Sequence, residues 1–304
     1  MAGNFPEIWL RRVIQNMEQA DKAPWLEGIP EVEGEVIEVG AGTETEANVI
    51  HIPINTFEPA VLVNNTTYPI DAVEYTDANA LLTLNKFQTE VTTLSDDQVM
   101  GASYNKIDAA TGSHTRAITK KKFAMAIHAL APASHTAATP VLSTTGDAVG
   151  GRKRLIYEDL VAMKDALDKG GFDTEGRRMV LCTDHWNDLL IDRKNFGDLL
   201  VNYKTGQPAP LIAGFKIYEY INNPLYVTAG TKKAFGAAPA GGDYQASVVF
   251  LETNVGKKTG KTKQYFKPSA IDPHNQTNAL NYRHYYIVMP FRNLAIGAIR
   301  SVAA

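Results

Sequence analysis

The chain has a single cysteine, Cys182, among its 304 residues. One thiol excludes an intramolecular disulfide and a thiolate-rich zinc site, and it fits a reducing compartment best. Histidine is almost as sparse. The seven, at 51, 114, 128, 135, 185, 274 and 284, include no His-Glu-x-x-His and no other close metal-ligand spacing. No segment approaches the roughly 20 apolar residues needed to cross a bilayer, and residues 1–10 contain Pro6 and Glu7 rather than the apolar run of an export signal. A soluble protein without a membrane partner is expected. Positive charge is not in excess either. The 30 Lys and Arg against 33 Asp and Glu give a formal net charge of -3, so any contact with nucleic acid has to be local.

Catalytic motifs are also missing. Neither a Gly-x-Ser-x-Gly elbow nor a dinucleotide fingerprint occurs. Gly256-Lys257-Lys258-Thr259-Gly260-Lys261-Thr262 follows an apolar run and resembles a phosphate loop, but its glycines are one residue too close and Val255 stands at the required glycine position. A solvated basic turn is the expected alternative. Asp184-His185 is the only adjacent acid and histidine pair. Neighbours on a helix point in different directions, which favours a helix-start role. Cys182 lies in an apolar strand, where burial raises a thiol's pKa and keeps it inert. No catalytic residue, metal ligand or cofactor is assigned, and no enzyme is expected.

What remains is organisation. With 44% hydrophobic and 21% charged residues, the chain can bury a real core and is expected to divide into two compact parts. Residues 4–22 place Ile8, Trp9, Val13, Ile14 and Met17 at helical spacing with Arg11, Arg12, Gln15 and Glu18 between them. This amphipathic arm is cut off by Pro24, Gly28 and Pro30, so its apolar partner is expected elsewhere, with a neighbouring subunit among the candidates. Short strands follow at 35–39, 49–54, 61–63 and 70–73, with a polar turn over 40–46 as a hairpin tip. Arms of about fifteen residues at roughly 3.3 Å each reach about 50 Å, enough to lie over another subunit; the alternative is a small sheet packed on its own domain.

Ser95, Asp96, Asp97 and Gln98 then open a helix with side chains suited to its free N–H groups and its dipole. It is expected to run to Leu130, a rod of roughly 50 Å, or to divide into two helices around Gly112. Residues 131–151 read as a surface connection. Beyond them come a helix over 155–169 ended by Gly170-Gly171, a buried strand at 179–182, a helix carrying Trp186, Leu189 and Leu190, and a strand at 215–220. Together these read as a compact α/β unit. Strands at 247–251, 282–289 and 294–299 return to pair with earlier segments. Two basic clusters stand out: Lys120, Lys121 and Lys122 with Arg116, and Lys257, Lys258 and Lys261 with Lys263. Either is suited to non-specific, salt-sensitive phosphate contacts, or to a solvated helix face and an exposed loop. Neither has the interleaved aromatics of a single-strand reader.

The order of these elements resembles the major capsid proteins of tailed bacteriophages with the Hong Kong 97 (HK97-like) fold. The anchors are Leu94-Ser95-Asp96-Asp97, the run Arg178-Met179-Val180-Leu181-Cys182-Thr183-Asp184-His185-Trp186-Asn187-Asp188-Leu189-Leu190, and Ile212-Ala213-Gly214-Phe215-Lys216-Ile217-Tyr218. The resemblance implies an α+β fold with an N-terminal arm (1–32), an extended β-hairpin loop (33–92), a peripheral domain with a long spine helix (93–152 and 243–304) and an α/β axial domain (153–242). It further implies a virion shell subunit that assembles with itself as hexamers and pentamers of an icosahedral or prolate head around double-stranded DNA, in the bacterial host cytoplasm. Scaffolding, portal and decoration proteins are expected as separate chains, since no scaffolding segment precedes the arm. The sequence has no lysine between 33 and 85, so a covalent crosslink through the extended loop, known in some members, is not expected. An encapsulin-type compartment enclosing cargo enzymes is the alternative. On this resemblance the subunit contacts fall at Trp9, Arg11 and Arg12, at Gly40, Gly42, Glu44 and Glu46, and at Asn202, Tyr203 and Lys204 in a 192–210 loop near the local symmetry axis. The DNA-facing residues would be Lys120, Lys121, Lys122, Lys257, Lys258 and Lys261.

Overall fold

A computed structural model describes residues 23–34, 36–39, 47–55, 59–75, 77–100, 106–191, 201–202, 207–208, 211–272 and 274–304. The 4–22 arm and the 40–46 turn lie outside the described residues. The main strands are β1 (Ile37–Val39), β2 (Ala47–Asn55), β3 (Asp77–Thr83), β4 (Asn85–Gln88), β5 (Thr92–Ser95), β6 (Val141–Ser143), β7 (Arg177–Leu181), β8 (Leu211–Ile212), β9 (Phe215–Glu219), β10 (Tyr244–Leu251), β11 (Val255–Lys267), β12 (Thr277–Pro290) and β13 (Ile296–Arg300). The helices are α1 (Asp96–Met100), α2 (Lys106–Leu130), α3 (Tyr157–Lys169) and α4 (Thr183–Ile191).

Every residue of β7 is buried, as its apolar run Met179-Val180-Leu181 requires of a strand covered on both faces, with Arg177 and Arg178 buried at its start. It lies centrally in a seven-stranded sheet of order β8-β9-β7-β10-β13-β6, with Leu225–Tyr226 pairing off beside β10. Period-two alternation sorts its side chains. Val180, Val248 and Phe250 join one core with Trp25, Phe123, Ile127 and Leu130, while Met179, Leu181 and Val249 join another with Leu160, Met163 and Phe215 from the opposite face. In α3 the buried Leu160, Met163 and Leu167 fall on one face, and Gly171, at φ 72°, carries the chain out of the helix. Of the strands expected in the peripheral unit, β10 pairs directly with β7, which is expected in the axial unit, and β13 and β6 follow beyond it, so one hydrogen-bonded layer holds strands from both expected parts. Val141–Ser143 therefore corrects the expectation that 131–151 is only a surface connection. A parallel pairing with β13 holds it in place.

A second sheet, β11-β12-β4 with β5 also on β12, carries α2. That helix passes Gly112 without a break, which removes the expectation of two helices divided there; residues 101–105 between α1 and α2 lie outside the description. Its first half rests on β12 through partly polar contacts, including Thr111 Oγ1 at 3.2 Å from the Tyr282 hydroxyl, and Ile118 against Leu280 and Tyr282. Its second half enters the apolar core through Phe123, Ala126, Ile127 and Leu130. The Lys232 ammonium closes the C-terminus, donating to the carbonyls of His128 (2.8 Å) and Ala131 (2.6 Å), where a cation also meets the negative end of the helix dipole. At Gly112 an added Cβ meets only the Arg116 Nη1 at 3.7 Å. Gly112→Ala is therefore expected to raise stability by roughly 0.5–1 kcal/mol through the unfolded chain's lost entropy, read as a higher urea midpoint at unchanged slope.

The N-terminal end of the described chain is strapped across both sheets. Trp25 is wholly buried, edge-on to Phe250 and Tyr220, and its carbonyl accepts from Arg178 Nη1 at 2.9 Å. Arg178 is itself paired with Glu252 at 2.7 Å. On the other side of the seven-stranded sheet, the buried Asp188 of α4 accepts from Arg152 at 2.6 and 3.0 Å and from the Leu155 N–H at 3.0 Å. This one carboxylate joins the 148–156 segment to α4.

Candidate assembly surface

β2 and β3 form the long arms of a hairpin whose register runs from Val49 opposite Thr83 to Asn55 opposite Asp77. β1 pairs on the other side of β2. Between the arms lies 59–75, which is not the pair of strands expected at 61–63 and 70–73. No named strand falls there, because neither apolar run pairs with another strand among the described residues. Asn64 takes a positive φ of 52°, and the Asn65 side chain bonds the backbone of Thr67 in a local turn. The apolar side chains face solvent: Val61 is 85% exposed, Val63 80%, Tyr68 74% and Val73 71%, and Leu62, Ile70 and Tyr75 are exposed as well. A contiguous apolar loop of this kind marks an interaction surface. Composition alone carried a signal for it, since 59–75 has two prolines, no lysine and no arginine.

The expected contact residues fare differently. Trp9, Arg11, Arg12, Gly40, Gly42, Glu44, Glu46, Tyr203 and Lys204 lie outside the described residues, and of Asn202 only its backbone pairing with Gln207 is described. The basic segment 256–262 is not a turn. It belongs to β11 and pairs with β12 across a register shift between Thr259 and Thr262, so tertiary pairing overrides a loop-like composition. Its lysines hold down the preceding strap. The Lys257 ammonium donates to the Leu26 carbonyl (3.3 Å), and that of Lys258 to the carbonyls of Val32 (2.8 Å) and Gly34 (3.1 Å). Lys261 and Lys263 sit 3.1 and 3.5 Å from the Glu38 carboxylate, and the Lys261 hydrogen bond is the main cause that holds this carboxyl below its usual range. On α2, Lys120 and Lys121 are exposed. Lys122, expected on the same solvated face, is only 4% exposed. It turns inward, with its ammonium 4.9 Å from the Phe123 ring centroid and 4.7 Å from that of Tyr286, where cation–π attraction stands in for part of the lost hydration.

The candidates for chemistry are core groups. Cys182 is wholly buried and its thiol is pushed up to about 11 by desolvation, in line with the inert role expected for it. His185 is also wholly buried, its Nδ1 2.6 Å from Ser247 Oγ and its Nε2 2.9 Å from Ser301 Oγ. A serine and histidine meet here with both ring nitrogens engaged and no path for a substrate. Asp184, next to it, faces outward. Among the described residues no group of three or more His, Cys, Asp or Glu is arranged to hold a metal ion, and no helix is long and apolar enough to cross a membrane.

Burial lowers the pKa of His185 to about 4 and that of His284 to about 3, with the Lys122 charge assisting at His284. The unfolded chain protonates these rings near the ordinary pKa of about 6.5, so the fold's advantage is complete above that pH and is lost as pH falls toward 4. Linkage puts the loss on the order of 3 kcal/mol for His185 and somewhat more for His284. The thermal midpoint is expected to fall steadily between pH 6.5 and 4. A flat profile over that range would show that these rings are not held neutral.

The profile of the phage capsid protein family matches residues 74–300, which spans β3 through β13 and begins at the end of the 59–75 loop. The chain belongs to that family. Among solved structures this capsid protein is similar to the mature capsid of bacteriophage PhiM1, with 14% identity, 83% of this chain and 82% of that chain covered, and a TM-score of 0.57. It is also similar to the capsid of a native GTA particle, with 9% identity, 92% and 90% covered, and a TM-score of 0.61. A third is the virus-like particle from Pyrococcus furiosus, with 9% identity, 98% and 100% covered, and a TM-score of 0.55. At such identities these likenesses establish the fold, which is HK97-like, and the family profile decides between phage shell and cargo compartment in favour of the former. A comparison with curated proteins finds no match. The chain is a structural major capsid protein, and its place is the capsid shell of the virion.

Proposed function

We propose that this capsid protein assembles as hexamers and pentamers of an icosahedral or prolate head around double-stranded DNA, in the bacterial host cytoplasm, and has no catalytic role. The observation that carries the reading is the 59–75 loop, whose apolar side chains stand in solvent on a two-stranded arm. Exposed in a monomer they are a liability, whereas under a neighbour they contribute burial energy. The parts proposed are an arm at 1–32, an extended loop at 33–92, a peripheral domain at 93–152 and 243–304 and an axial domain at 153–242. The arm residues Trp9, Arg11 and Arg12, the turn residues Gly40, Gly42, Glu44 and Glu46, and the axial residues Asn202, Tyr203 and Lys204 then contact neighbouring copies. Lys120 and Lys121 lead the inward basic set, with Lys257, Lys258 and Lys261 adding field while serving the strap. Scaffolding, portal and decoration proteins are separate partners in this reading.

Negative-stain electron microscopy of the purified protein, with a scaffolding candidate added where it does not assemble alone, tests the proposal. Closed shells, sheets or six-fold rings are expected. Compact monomers persisting at high concentration with scaffold present would overturn it.

A further inference from the structure

We propose that the pocket between the C-terminal half of α2 and the 222–239 segment is a nucleotide site, in which a phosphate meets Lys120 and Lys121 and a base lies against Phe235. The pocket has a volume of about 380 Å³, within the roughly 300–1,000 Å³ of small-molecule sites. The inference rests on the DNA-enclosing reading only for the source of the ligand; the site itself belongs to the folded subunit.

Charge selects an anion. Lys120 and Lys121 line the pocket, and no acidic residue does. The fold also brings Phe235 to these lysines from a distant segment, with its ring 37% exposed. His128 Nε2 donates to the Lys233 carbonyl at 2.8 Å, and the His128 ring lies edge-on 5.6 Å from that of Phe235, so the loop is held against α2. The Lys121 ammonium rests 5.9 Å from the Phe235 ring centroid. An exposed cation–π contact is weak, so an arriving phosphate draws the ammonium off and bares the ring for a base, and stacking of this kind accepts any base.

An unmet acceptor completes the site. Asn223 lines the pocket at 5% exposure. Its Nδ2 donates to the Val180 carbonyl at 3.1 Å, while its Oδ1 has no hydrogen-bond partner among the described residues. A buried acceptor left this way carries a desolvation penalty that a ligand donor relieves. A nucleotide brings the anion, the flat ring and the N–H donor together, since every base carries an N–H. An acidic peptide satisfies the lysines without using the ring.

Calorimetric titration of the purified protein with dAMP, and with inorganic phosphate as the probe that lacks a base, is the test. dAMP should bind at least about tenfold more tightly than phosphate. Phe235→Leu, which keeps apolar volume without a flat face, and Lys120→Gln should each weaken dAMP by about tenfold. Lys169→Gln, a matched charge loss at an exposed site on α3, should leave binding unchanged, and all three variants should unfold within a few degrees of the parent. Competition by a single-stranded oligonucleotide would assign the site to an unpaired nucleotide of DNA, and no competition to the free mononucleotide; either upholds the pocket. dAMP binding no tighter than phosphate, or unchanged by Phe235→Leu, would overturn it, as would a Glu-rich peptide that outbinds dAMP there. Binding is read whether or not shells have formed, so failure of the pocket and failure of the shell reading are distinct results.

Discussion

Deletion of residues 59–75, with the remaining hairpin residues closing β2 onto β3, is expected to abolish shell formation and leave the subunit folded. The loop's seven exposed apolar side chains belong to none of the buried core clusters, so their removal costs the monomer little. Burying each only halfway under a neighbour contributes about 1 kcal/mol. Seven together approach about 7 kcal/mol at every contact, which corresponds to roughly five orders of magnitude in association. Sedimentation and microscopy should find monomers or small oligomers, while the thermal midpoint stays within about 2 °C of the parent. Normal shells from the deleted chain would end the overlap reading.

The second large effect is internal. Asp188→Ala is expected to destabilise the subunit by about 3–5 kcal/mol, because it removes the shortest partner of the half-buried Arg152 guanidinium, leaving it only the more distant Asp184, and leaves the buried Leu155 N–H without its acceptor. In a chain of this size that is a fall of about 5–8 °C in the thermal midpoint. Removing both charges with Arg152→Met and Asp188→Leu should recover much of the loss, since an apolar pair of similar volume pays no desolvation cost. A single-variant loss below about 1 kcal/mol would assign the pair the modest value of a surface ion pair.

Much of this architecture was legible in the residues. β7, α3, α4, β9 and β13 announce themselves by continuous apolar runs or one-sided helical spacing, and the helical stretch that ends at Leu130 by the capping residues Ser95, Asp96, Asp97 and Gln98. The errors share a cause. At 61–63 and 70–73 an apolar run suggests a strand because local patterning presumes a partner within the chain, and here the side chains face solvent instead. At 256–262 glycine and lysine suggested a turn, whereas pairing with β12 decides the conformation. Lys122 looked like part of a solvated basic face until the Tyr286 ring, distant in sequence, arrived beneath it. Asp188 sat unremarked inside an anchor run because its partners, Arg152 and Leu155, come from another segment. Local sequence reports local preference and burial period; it does not report which distant group completes a contact.

The strap at 23–34 also settles how a pull from outside reaches the subunit. Residues 31 and 32 run parallel to β11 and bond to its Lys257, Trp25 is sunk in the core, and the lysines of β11 grip the carbonyls on either side. A force along the chain N-terminal to Ala23 therefore loads several bonds at once, in shear, instead of peeling them one after another. The segment works as the strain relief on a cable, spreading a tug on the chain over the whole joint instead of one bond.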